Sequence, residues 1–139
     1  MNEDITLVRD AIHNPAEPRH FMRLAYPAHL VTASIRGIEI ERTKRAIKLK
    51  EVGRDIYDPV LYFPREDVDM SKLVRLAKST HCPLKGDTAY FDAELAGRRI
   101  AEVAWSYDRT LPLAEAIRDY VAFDTRRVQV VELTAGDER

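Results

Sequence analysis

Short apolar alternations punctuated by turn dipeptides decide what this chain can fold into. From Leu30 onward, Val31, Ala33 and Ile35 alternate with Thr32, Ser34 and Arg36. Successive strand side chains point to opposite faces, so a period of two marks a strand buried on one side. Arg36-Gly37 then gives a tight turn into Ile38-Glu39-Ile40-Glu41, which alternates again and completes a hairpin. The same signature recurs in Ala89–Leu95 and Arg99–Trp105 on either side of Ala96-Gly97. Ala46 to Lys50 reads as a further strand. Val60 to Phe63 reads as a continuous apolar strand, expected to be central and ended by Pro64, which has no amide to donate. Tyr120–Phe123 and Val128–Leu133 close the series. Long helices alternating with strands are missing, so the pattern predicts one mainly β domain rather than a doubly wound sheet.

Helical signals are few. Leu7, Val8, Ala11 and Ile12 form one apolar stripe over Ile5 to Ile12, a short helix that Asn14-Pro15 would stop. Pro15-Ala16-Glu17-Pro18 is linker-like, and Phe21, Met22 and Leu24 after it need cover from the domain or from a second subunit. Residues 1–29 are therefore expected as an N-terminal helix and arm packing on the domain. Residues 30–133 form the β-rich domain, and 134–139 a frayed polar tail. Asp69 is placed to cap a helix over residues 70–77, with Met70, Leu73, Val74 and Ala77 on one face. Pro112 opens a helical turn through Ile117.

At 139 residues the chain is long enough to bury a core without staples, and 45% apolar with 32% charged residues is a globular balance. A formal charge of −1, with both signs interspersed, supplies no field to recruit nucleic acid or an anionic membrane. Neither is expected as a partner. Cys82 is the only cysteine, so there is no internal disulfide and no Cys-rich zinc site. Met1-Asn2-Glu3-Asp4 lacks the basic start and apolar run of a secretory signal, and no apolar run spans a bilayer. The expectation is a reduced, cytoplasmic protein.

The densest chemistry lies in Thr80-His81-Cys82-Pro83-Leu84-Lys85-Gly86, which gathers an imidazole, the thiol and an ammonium between two breakers of regular structure. Tyr62-Phe63-Pro64-Arg65 precedes it, and Ala104-Trp105-Ser106-Tyr107 and Tyr120-Val121-Ala122-Phe123 follow. In this order, from about Leu30 to Phe123, these segments resemble the bacterial family known as domain of unknown function 427. The resemblance implies a compact two-sheet antiparallel β-tent or sandwich-like fold with two or three short helices. This chain departs from the family at Leu84, where an aromatic residue is usual, and at Asp119, where glycine is usual. Members are sometimes labelled nucleotidyltransferases. The single Asp-x-Asp here, Asp67-Val68-Asp69, does not follow the Gly-Ser turn that such enzymes place before their metal-binding pair.

Each candidate residue has a functional and a structural reading. Cys82 beside His81 and Lys85 suits a nucleophile, yet neighbours on an extended chain face opposite ways and a lone cysteine is commonly packed. His81 suits acid–base work or a loop hydrogen bond. Lys85-Gly86 can hold an anion, although its order is the reverse of a phosphate loop. Arg65 suits a bidentate contact to an anion or an ion pair with Glu66, Asp67 or Asp69. Asp67 is the candidate base of an enzyme. Trp105 and Tyr107 share a strand face, and with Tyr62 and Tyr90 they form either core or an open aromatic cage.

No pattern for a metal ion or cofactor is present. The leading expectation is a small polar or anionic ligand held by Arg65, His81, Lys85, Trp105, Tyr107 and Tyr62. The competing readings are a transferase or hydrolase acting on a nucleotide-like substrate, with Asp67, His81 or Cys82 catalytic, and a protein-interaction module. A homodimer through the N-terminal arm accompanies the last.

Overall fold

A computed structural model describes residues 8–133. Its strands are β1 (Ile12–Asn14), β2 (Glu17–Ala25), β3 (Leu30–Ile35), β4 (Ile38–Thr43), β5 (Ile47–Val52) and β6 (Val60–Tyr62), followed by β7 (Leu73–Cys82), β8 (Gly86–Leu95), β9 (Arg98–Thr110), β10 (Val121–Phe123) and β11 (Gln129–Leu133). Helical structure among the described residues is limited to short 3-10 segments at Arg65–Asp67, Met70–Lys72 and Pro112–Ile117. The expected mainly β, antiparallel architecture is what the chain adopts. Its strands divide into three sheets rather than two, in the orders β1-β2-β5-β6, β10-β9-β8-β7 and β11-β3-β4.

Alternation along the strands sorts apolar residues into two cores. Val31, Ala33, Ile35 and Ile40 of the third sheet meet Phe91, Ala93, Val103 and Phe123 of the second in one cluster. Met22, Leu49 and Tyr62 of the first sheet meet Leu84, Tyr107, Ile117 and Ala122 in the other. Neighbouring residues split between them: Tyr62 enters one core and Phe63 the other, as do Ala122 and Val121. The second sheet is thus covered on both faces, and its β8–β9 pair is the scaffold on which the site is built.

Both predicted hairpins form, as β3–β4 and β8–β9. Three local expectations change. Asp69 does cap, accepting from the Ser71 amide at 3.2 Å, but the helix lasts only one 3-10 turn before β7 begins. Residues 73–77 instead join a strand paired with β8, because backbone pairing to a distant segment overrides a helical spacing of apolar residues. At the N-terminus, the chain turns at Arg9-Asp10 and enters β1, where Ile12 lies opposite Met22, so the described part of the stretch expected as a helix is not helical. Residues 5–7 of that stretch, and the tail from 134, lie outside the described residues. Finally, β6 borders β5 at the edge of its sheet and hands on to β10 through an isolated Phe63–Val121 bridge, rather than lying centrally.

Candidate functional site

The register of β8 against β9 sets Tyr90 opposite Trp105 and Thr88 opposite Tyr107, so one face of the hairpin carries a patch of aromatic and hydroxyl groups. Tyr62 approaches this patch from β6. Its hydroxyl accepts from the Trp105 indole at 3.3 Å, and its ring centroid lies 6.4 Å from that of Tyr107. Together with Tyr57 these side chains wall a recess of about 370 Å³.

Lys85 reaches the recess from the turn between β7 and β8. Gly86 makes that path possible: its φ is +120°, and a Cβ there would lie 2.2 Å from the Arg109 carbonyl oxygen. With only a hydrogen in that place, β8 starts hard against the end of β9, and the Leu111 amide donates to the Lys85 carbonyl at 3.0 Å. The Lys85 side chain is thereby turned inward, leaving the residue 6% exposed. Its ammonium lies 5.6 Å from the Tyr107 ring centroid and donates to a Glu51 oxygen.

A buried charge needs a partner, and here each supports the other. Burial pushes the Glu51 carboxyl up, but the Lys85 ammonium and the His20 ring outweigh it and hold the group below its ordinary value. Burial likewise pulls the Lys85 ammonium down, and Tyr107, Glu51 and Cys82 hold it above its usual value. Both groups are charged at neutral pH, so the recess is aromatic with one internally neutralised ion pair at its edge.

The other Glu51 oxygen is 2.7 Å from His20 Nε2, and it opens onto a second cleft of about 690 Å³. His20, Arg54, His81 and Cys82 line this cleft, and Glu51 and Tyr57 are shared with the aromatic recess. Gly53 lies close behind, where a Cβ would be 3.3 Å from the Tyr57 ring and 3.4 Å from His20. Cys82 is half-buried and packs against the core that contains Tyr62 and Leu84. His81, its neighbour, is exposed and pairs through Nδ1 with Asp87 at 2.8 Å.

The structure therefore brings Tyr62, Lys85, Trp105 and Tyr107 into one recess and places His81 and Cys82 in the adjoining cleft. Arg65 and Asp67 line neither. The Arg65 guanidinium donates to the Asp119 carbonyl at 3.1 Å and the Ser106 hydroxyl at 3.0 Å, and lies 5.7 Å from the Phe91 ring centroid, ties that fasten the 65–67 turn to β8, β9 and the segment before β10. Asp67 accepts from Thr43 at 2.7 Å and from Arg45 at 3.0 Å beside a shallow depression. Its neighbour there is Glu41, which is 2% exposed and whose carboxyl oxygens have no hydrogen-bond partner. Burial, with Asp67 and Glu39 adding repulsion, pushes Glu41 up to about 9.

His20 and Glu51 escape a reading of the sequence. His20 sits on a strand that reads as a linker-like arm, and Glu51 follows a Lys-Leu-Lys alternation that already looks complete. The available signal is indirect: a lysine pressed between Leu84 and Gly86 at a tight turn demands a carboxylate from elsewhere in the chain.

The family model described as domain of unknown function (DUF427) matches residues 24–134. No curated protein matches the chain.

Proposed function

The chain belongs to the domain of unknown function 427 family, and on that premise we propose that it binds a small polar molecule bearing a flat ring. The ring would enter the recess among Tyr57, Tyr62, Trp105 and Tyr107, and a polar or anionic end would extend over the cleft toward Arg54 and His81. One observation carries this reading: residues from three separated family-like segments, Tyr62, Lys85 and the Trp105–Tyr107 pair, line a single recess. Concave sites with an apolar lining and a few fixed polar groups are what small ligands occupy. Aromatic faces favour a planar partner by offset stacking, worth about 0.5–1.5 kcal/mol per contact beyond area burial. Lys85 and Glu51 then act as one donor and one acceptor held in fixed positions, rather than as a bare anion trap.

Thermal unfolding against heterocycles, nucleobases, nucleotides, sugar phosphates and amino acids tests the proposal. A ligand at about 100 times its dissociation constant adds about 2.7 kcal/mol, a shift of several degrees for a domain of this size. Flat-ring compounds are expected to raise the midpoint in the wild type and not in Trp105→Ala. Stabilisation by ring-free compounds alone would contradict it.

A further inference from the structure

Beyond ligand capture in the aromatic recess, we propose that His20, Glu51 and Cys82 form a mononuclear binding site for a zinc-type divalent transition metal, with an open position toward the larger cleft. One donor atom from each residue lies within 4.8 Å of the other two. All three residues are half-buried, and they come from separate elements: β2, the end of β5 and the end of β7. Tetrahedral coordination at about 2.0–2.3 Å places donors roughly 3.5 Å apart, so closing on an ion asks for side-chain movements of about 1 Å.

The donor types select the metal. A thiolate, an imidazole and a carboxylate suit zinc, cobalt or nickel, whereas magnesium and calcium take oxygen ligands. Three protein ligands leave a fourth position, and these three all line the solvent-open cleft of about 690 Å³, which gives water or a ligand access to it. Thiolate and carboxylate together balance a divalent charge. Lys85 stays on the second Glu51 oxygen and fixes the direction of the carboxylate, as outer partners of metal ligands commonly do.

The histidine contacts define the hydrogen that must move. Asn14 Oδ1 accepts from the Ala16 amide at 3.0 Å, which turns its Nδ2 toward His20 Nδ1 at 3.5 Å. The Nε2 proton then faces Glu51 Oε2 at 2.7 Å. An ion that takes Nε2 displaces this proton, and the ring then carries its hydrogen on Nδ1, where a rotated Asn14 amide accepts it. Metal uptake therefore shifts the His20 hydrogen from one ring nitrogen to the other and releases one proton, that of the Cys82 thiol, so affinity rises with pH.

The experiment is a cobalt(II) titration of chelator-treated protein followed by absorbance, with zinc as competitor. One equivalent of cobalt should produce a thiolate charge-transfer band and the visible bands of a four-coordinate ion, and one equivalent of zinc should remove both. Cys82→Ser should abolish the charge-transfer band, and His20→Gln should weaken affinity at least 10-fold while the variant unfolds cooperatively. If Cys82→Ser does not fold, zinc protection of the wild-type thiol from alkylation, reduced in His20→Gln, reads the same contact. Absence of stoichiometric binding, a charge-transfer band that survives Cys82→Ser, or unchanged affinity in His20→Gln would overturn the assignment.

Discussion

Two carboxyl groups, Glu51 and Glu41, make opposite contributions to stability. The depressed Glu51 carboxyl adds stability that is present above its unfolded value near 4.5 and lost as pH falls through its lower folded value. Lys85, held above 10.5, adds stability that is present below that value and lost as pH rises through its higher folded one. Glu41 has the reverse sign for a carboxyl. Its contribution is fully present only below about 4.5 and fades as pH climbs toward its folded value of about 9. Glu41→Gln keeps the shape and removes the titration, so it should stabilise the protein on the order of 2–4 kcal/mol at pH 8 and by much less at pH 5. Urea midpoints across this range would check it, and equal gains at both pH values would contradict it. Breaking the Lys85–Glu51 pair should be costly: Lys85→Met leaves the half-buried Glu51 carboxylate with His20 as its remaining partner and should lower stability by about 3 kcal/mol. The Lys85→Met, Glu51→Leu double variant should recover part of that loss in the same denaturant titration.

At the scale of elements, the β7–β8 turn sets where Lys85 enters the candidate recess. Gly86→Ala places a methyl against the Arg109 backbone at a φ of +120°, so the turn must shift or the hairpin must strain. A loss of about 3 kcal/mol is expected, together with weaker ligand binding, because Lys85 and Cys82 move with the turn. Both hairpins were legible in the sequence because alternation and a turn dipeptide act locally. The start of strand β7 was not, since the Met70, Leu73, Val74, Ala77 spacing that runs into it fits a helix and only pairing with β8 decides otherwise. For the same reason Lys85, Trp105 and Tyr107 could be picked out from their own segments, whereas His20 and Glu51 could not. Their significance arises from a meeting of β2, β5 and the β7–β8 turn that no local pattern encodes.

Across the whole molecule, one sheet is covered on both faces, and the site occupies the edge where the core containing Tyr62 and Tyr107 opens to solvent. No helix among the described residues is long and apolar enough to cross a membrane. Arg65 serves this architecture rather than the recess, tying the turn after Pro64 to β9 and the Asp119 carbonyl. Arg65→Ala should therefore cost about 1–3 kcal/mol in denaturant titration, by stranding the Ser106 hydroxyl, which is fully buried, yet leave ligand affinity unchanged in protein that remains folded. Trp105 is the single tryptophan in the chain and borders the recess, so its emission reports directly on occupancy. The decisive measurement is a Trp105 fluorescence titration with the flat-ring compounds that raise the unfolding midpoint. A saturable change that is kept in Arg65→Ala and lost in Lys85→Met is the result this account predicts. Compounds that stabilise the protein while leaving Trp105 emission untouched would place the ligand elsewhere and contradict it.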